Sequence, residues 1–425
     1  MMTLTHRIEP FRPLLYNTER VGDLSKVIAP PYDLIDAARQ DELYARSPYN
    51  IVRLELAREA DRYAAAAATL AKWRADDIIR VAPRPAVYLY RQRFESGGRK
   101  LRRDGLVARV RLENFARGRI LPHERTFPAA KADRLKLLGA IKTNVSSIFG
   151  LYDGKHPELD ALVANASTHA PIADVTDDLG IENQLRAIDS PGEIATVQRA
   201  LESSLILIAD GHHRYETALN FRELHRGENR AYDYTMMTLV GCAGPGLVIL
   251  PTHRVVKHLD AEAIASFANR AREVFEVEEF SDRDRMRAEL SHRGRGSIGV
   301  ALRGTRKIRL LRLREHHALE AAAPELPAVV RDLDVSILHA LIFDRIFGVK
   351  AEAIKAGGNL EYTIDAAGAL DAVTSGRADG AFLMNPPTID DVQRVSDSGA
   401  TMPEKSTYFF PKLITGLFMN PLDVI

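Results

Sequence analysis

The chain has 425 residues, 58 Lys plus Arg against 57 Asp plus Glu, and a formal charge of +1. Its length calls for two or three domains, and 46% apolar with 27% charged residues excludes wholesale disorder. The single Cys242 excludes a disulfide scaffold or multi-thiolate zinc site, and near-balanced charge argues against a nucleic-acid coat. No run approaches the ~18–20 apolar residues that cross a bilayer, and MMTLTHRIEPFRPL lacks the apolar core of a signal peptide. The expectation is a cytoplasmic protein without membrane contact.

Tyr63, Ala67, Leu70 and Trp73 recur at helical spacing and predict a packing helix over 58–76. A hairpin follows, 86–94 and 105–112, around the turn residues Gly97 and Gly98. Between Arg80 and Arg119 there are twelve Lys or Arg against three acids. They read either as solvent-facing arginines on an edge hairpin or as an electropositive wall for an anionic substrate. Helices are predicted at 131–141, 158–167, 193–203 and 214–225, with strands at 182–188, 205–209, 235–242 and 247–250. The run Leu205–Ala209 is continuously apolar, as in a strand buried on both faces. Further strands are expected at 297–302, 307–314, 361–365 and 380–384. The longest helix is expected at 329–347, with a short one at 413–418. The reading is mixed α/β in three segments: 1–150, 151–258 and 259–425.

The strand at 205–209 runs into Asp210-Gly211-His212-His213-Arg214 and then a helix. A Gly turn at a helix start leaves backbone N–H groups unpaired beside the positive end of the helix dipole, which suits an anion. Two imidazoles and a guanidinium add charge-assisted donors. Asp210 either caps the helix or stands beside the anion to accept a proton or carry a metal.

Leu121-Pro-His123-Glu124-Arg-Thr126, with Lys131, Asp133 and Arg134, places charged side chains on a loop entering a helix, which fits either a site for phosphate and its counter-ion or a solvated charged loop. Glu124 is a candidate base or metal ligand, although HExxH is not met because position 127 is Phe. Pro30 and Pro31 stiffen the loop before Asp33, ahead of Asn50. Near the end, Lys405, Ser406, Thr407 and Lys412 lie among aromatics and read as a second anion contact or as a strand with incidental hydroxyls.

VIAPPYD, NIVRLEL, LPHERT, SIFGLYD, ADGHHRYETAL, FLMNPP and MPEKSTYFFPKL together resemble a bacterial domain-of-unknown-function family labelled ParB/Spo0J-like. The strand–DGHHR–helix element is similar to the phosphate signature of the ParB/sulfiredoxin superfamily, though the reactive Cys of sulfiredoxins has no counterpart in this turn. The resemblance implies a ParB/sulfiredoxin-like core with further α/β segments around one cleft. It also implies phosphoryl transfer to a small hydroxyl metabolite, L-serine above all, from pyrophosphate or a nucleotide. In that reading Gly211, His212, His213, Arg214, Lys131, Arg134, Lys405, Ser406, Thr407 and Lys412 hold phosphate, and Asp210 or Glu124 takes the proton or anchors Mg²⁺. Asp33, Asn50 and His123 contact substrate, and no organic cofactor is expected. A P-loop signature is absent. Alternatives are a ParB-like nucleotide-binding partition protein, a metal-dependent phosphatase using His123, His212 and His213, and a non-enzymatic sensor.

Overall fold

The computed structural model describes residues 7–315 and 317–423. The chain forms two compact units. The first comprises Met1–Pro122, Thr126–Val248 and Pro411–Ile425; the second comprises His123–Arg125 and Ile249–Phe410.

The first unit is built on a mixed nine-stranded sheet. Its strands are β1 (Ile8–Glu9), β2 (Val87–Ser96), β3 (Arg99–Arg111), β4 (Ile120–Leu121), β5 (Ile148–Tyr152), β6 (Ala173–Thr176), β7 (Glu182–Ile188), β8 (Ile206–Asp210) and β9 (Tyr234–Gly241). The order is β4-β8-β5-β9-β3-β2-β7-β6, with β1 on β3. β8 is parallel to β4 and antiparallel to β5, while β9 is parallel to β5. Alternate residues point to one face. Val87, Leu89, Leu106, Ala108, Ile206 and Ile208 therefore share a core with Leu159, Val197 and Tyr215. These last three come from α3 (Pro157–Ala166), α4 (Pro191–Leu201) and α5 (His212–Leu224). A second core joins α1 (Arg62–Ala75) to α2 (Pro128–Ile141) through Leu70, Trp73, Leu137 and Ile141. Each such aliphatic or aromatic side chain contributes roughly 1.5–3 kcal/mol on burial.

The β2–β3 hairpin closes as its glycines predict. Ser96 pairs with Arg99 across Gly97 and Gly98, whose φ angles of 57° and 71° match a two-residue turn open to glycine. It is not an edge hairpin, however. β2 and β3 lie inside the sheet, and Arg91, Arg103 and Arg109 are buried. Arg91 pairs with Asp104, Arg103 donates to Gln92 and the Pro411 carbonyl, and Arg109 donates to Asn420 and the Pro421 carbonyl. Arg103 and Arg109 thereby tie the C-terminal segment to the sheet, while Arg93, Arg99, Lys100 and Arg102 stay exposed.

The second unit carries a six-stranded antiparallel sheet. Its strands are β10 (His253–Val256), β11 (Phe275–Phe280), β12 (Ser297–Leu302), β13 (Ile308–Leu313), β14 (Leu360–Thr363) and β15 (Gly380–Leu383), in the order β11-β13-β12-β15-β10-β14. The single helix expected at 329–347 is interrupted. Leu333 is extended (φ −80°, ψ 140°), separating Ala328–Arg331 from Asp334–Ile337, and wide π turns follow over Leu338–Phe347. The helix expected at 413–418 does not form. Thr415 and Ala29 exchange both backbone hydrogen bonds, and Gly416 has φ 98° against Ile51. Among the described residues no helix is long and apolar enough to cross a membrane.

Candidate functional site

β8 is fully buried up to its last residue, so Asp210 is the first side chain of this segment to emerge from the sheet. Gly211 then adopts φ 94° as the N-cap of α5, a conformation that suits glycine. No side chain caps this helix start. Asp210 is therefore not the cap, and its carboxylate is instead gripped by two cations. Lys412 Nζ donates to Oδ1 at 2.5 Å and Arg214 Nη2 donates to Oδ2 at 2.7 Å. Arg214 Nη1 also donates to the Ser147 carbonyl at 2.6 Å, so its guanidinium folds back over the turn.

Burial alone would push the Asp210 pKa up, but Lys412, Arg214 and His212 outweigh it and hold the carboxyl far below the usual aspartate range. The buried Arg103 lies in the same field, and its pKa is lowered to about 10 by burial against the raising effects of Tyr90 and Asp210. Around Asp210, two cationic side chains thus grip one carboxylate. A carboxylate held this way is a weak proton acceptor and a strong organiser of the cations beside it.

The flanking groups are engaged differently. His213 Nε2 accepts the Phe127 N–H at 2.9 Å, and its ring stacks on Phe127. Lys131 and Thr126 both donate to Glu216, at 2.6 and 2.9 Å, locking α2 against α5. Arg134 is buried, donates to Glu55 Oε1 at 3.2 Å, pairs with Asp133, and covers the Tyr32 ring at 4.3 Å. It lines a cavity of about 50 Å³ with Glu55 and Arg214. Burial pushes the Glu55 carboxyl up, with Arg134 and then Arg214 opposing. We expect Arg134→Met to cost about 3 kcal/mol at neutral pH, because it strands Glu55 uncompensated. Glu55 would then titrate still higher, so the loss should shrink as the pH is lowered; denaturant titrations at two pH values check this.

Asn50 is not placed to meet a substrate. It is fully buried, donates to the Lys26 and Ile28 carbonyls at 2.9 Å each, and accepts from Val52 N–H at 3.0 Å. Asp33 is exposed on the turn Tyr32–Leu34.

In the second unit, His123 is buried against Thr407, Nε2 to Oγ1 2.9 Å, and edge-on to Phe409. Its carbonyl accepts the Met402 N–H, and Glu124 bridges to Met402 in parallel register. Two motifs 284 residues apart thereby meet. Ser406 donates to the Pro403 carbonyl, and Lys405 sits at φ 54° in the turn before it. Among the described residues no three His, Cys, Asp or Glu side chains cluster as metal ligands, and both Asp210 oxygens are already hydrogen-bonded. These side chains do not by themselves make a Mg²⁺ cage.

Sequence reasoning missed Arg103 and Glu55, which stand inside segments singled out for other reasons, the basic hairpin and NIVRLEL.

A profile described as "Protein of unknown function (DUF1015)" matches residues 8–336. The chain belongs to the DUF1015 family. No curated protein matches it. Among solved structures it is similar to a free serine kinase variant in complex with ADP, at 12% identity and a TM-score of 0.38, over 74% of this chain and 92% of that one. It is also similar to a conserved hypothetical protein from Pyrococcus furiosus (13%, TM-score 0.35, 72% and 94%) and to C-terminally truncated SbnI from Staphylococcus aureus (11%, TM-score 0.37, 75% and 88%).

Proposed function

We propose that this DUF1015 protein is a phosphotransferase acting on a small hydroxyl metabolite, L-serine first, with pyrophosphate or a nucleotide as donor. The observation that carries the reading is the excess of positive charge around Asp210 at an uncapped helix start. An incoming phosphate would meet backbone N–H groups of the Gly211 turn and the guanidinium of Arg214, with Lys412 on the other side of the carboxylate. Phosphoryl transfer asks chiefly for positioning and charge neutralisation, which these groups supply. Asp210 acts here by fixing Lys412 and Arg214. Glu124 belongs to the second unit, and the reading does not draw on it. The ParB/sulfiredoxin-like character of the strand–DGHHR–helix element is part of the same proposal. A DNA-partition role would want a recognition helix, whereas the basic stretch is an antiparallel hairpin, with Arg91, Arg103 and Arg109 buried and Arg93, Arg99, Lys100 and Arg102 exposed.

³¹P NMR of the purified protein with Mg²⁺, L-serine and, in turn, pyrophosphate, ADP, ATP and CTP tests this. One donor should yield phosphoserine. Release of inorganic phosphate without serine would instead make the protein a hydrolase, and no phosphoserine with any donor would refute the acceptor assignment.

A further inference from the structure

The second unit holds a cavity of about 310 Å³, within the size range of small-metabolite pockets. Part of its wall is apolar, from Leu333, Val335, Met384 and the Pro386-Pro387 turn after β15. The rest carries charge of both signs, Arg254 and Arg295 against Asp334 and Asp391, with no excess of either. Two of these four are spent elsewhere. Asp391 takes Arg295 and Arg394 on Oδ1, and the Thr388 N–H and hydroxyl on Oδ2. Arg254 donates to the Thr252, Glu404 and Lys405 carbonyls, and its Nε is buried beyond a ligand's reach.

Asp334 and Arg295 keep free positions. Asp334 follows the extended Leu333 and is half-buried in the wall. Its Oδ1 accepts the Gly296 N–H at 2.7 Å, and its Oδ2 has no partner among the described residues. Arg295, just ahead of β12, keeps 41% of its side chain exposed. Its Nη2 pairs with Asp391 and its Nη1 reaches the Asp332 carbonyl at 3.4 Å, which leaves Nε for a ligand. Arg295 and Asp334 attract each other yet form no ion pair, so a guanidinium and a carboxylate border the cavity unmated. Burial pushes the Asp334 carboxyl up to about 6, with the Gly296 N–H and Arg295 opposing. An ammonium against Oδ2 would offset that burial, and a carboxylate on Arg295 would keep the wall in balance.

We propose that this cavity binds a zwitterion, an α-amino acid with an apolar side chain, its ammonium on Asp334 Oδ2, its carboxylate on Arg295 and its side chain against Leu333, Val335 and Met384. The site lies wholly in the second unit and does not rest on the phosphate turn. Calorimetric titration of the full chain with L-leucine tests it. Leucine has no hydroxyl to phosphorylate, so this result and the phosphoserine result fail separately. Saturable binding is expected. Two leucine analogues, 4-methylpentanoate without the ammonium and 3-methylbutylamine without the carboxylate, should each bind about tenfold or more weakly. Asp334→Asn keeps an acceptor for the Gly296 N–H and should weaken leucine by about tenfold or more. If that variant fails to fold by circular dichroism, the two analogues on the wild-type protein carry the test. No leucine binding, equal affinity for either analogue, or unchanged affinity in folded Asp334→Asn overturns the proposal.

Discussion

Asp210→Asn is expected to lower phosphoryl transfer by on the order of 10²–10³-fold, because it removes the charge that holds Lys412 and Arg214 in place. An asparagine at this position keeps the shape but presents an amide to two cations, so one of them must turn away. Two charge-assisted hydrogen bonds to a largely buried carboxylate are lost. The stability cost should be about 2–3 kcal/mol at neutral pH. The pH dependence separates this from a packing defect. The Asp210 carboxyl is depressed in the folded state, so its contribution is fully present above the unfolded carboxylate range and lost as pH falls through the folded value. Denaturant unfolding of both proteins should show a constant gap above about pH 5 and a narrowing gap below about pH 4. A gap that does not change with pH would mean that the ion pairs contribute nothing.

Gly211→Val is expected to be nearly as damaging through a different cause. The backbone there is at φ 94°, and even a Cβ would lie 2.9 Å from Arg214 Nη2. A β-branched side chain cannot adopt that conformation without strain, at about 2–3 kcal/mol. The guanidinium must also leave its place over the turn, which removes the donor that reaches both Asp210 and the Ser147 carbonyl. Pyrophosphate binding at this turn should fall below detection in a protein that still melts cooperatively. Binding equal to wild type would show that neither the turn conformation nor Arg214 matters to the ligand.

Local pattern made much of this architecture legible in the sequence. The strands at 182–188 and 297–302 form over the residues their composition marks, and Gly97-Gly98 closes the hairpin by its own conformational freedom. The strand–DGHHR–helix element was readable for the same reason: an apolar run, a glycine and a helix are all local signals. What was not legible depends on partners distant in sequence. Arg103 and Arg109 look like surface charge until the carbonyls of Pro411 and Pro421 arrive to receive them. Residues 413–418 have helical spacing, yet pairing with Ala29 gives them a better place for their backbone groups. The apolar spacing of 329–347 likewise hides the extended Leu333. Within the site, the sequence alone marks Lys412 only as a generic phosphate contact. Its pairing with Asp210, 202 residues earlier, emerges only once the C-terminal segment lies on the sheet. Asn50 shows the reverse error, since a polar residue in a motif proved to be a fully used structural bracket for the loop at 26–28.

In the proposed function the turn after β8 holds a phosphate group through Arg214 and Lys412. Pyrophosphate titration of the wild-type protein, compared with Arg214→Ala, tests that turn directly. Saturable binding is expected in the first protein and a loss of about tenfold or more in the second. Equal affinity in the two proteins would rule the phosphate assignment out.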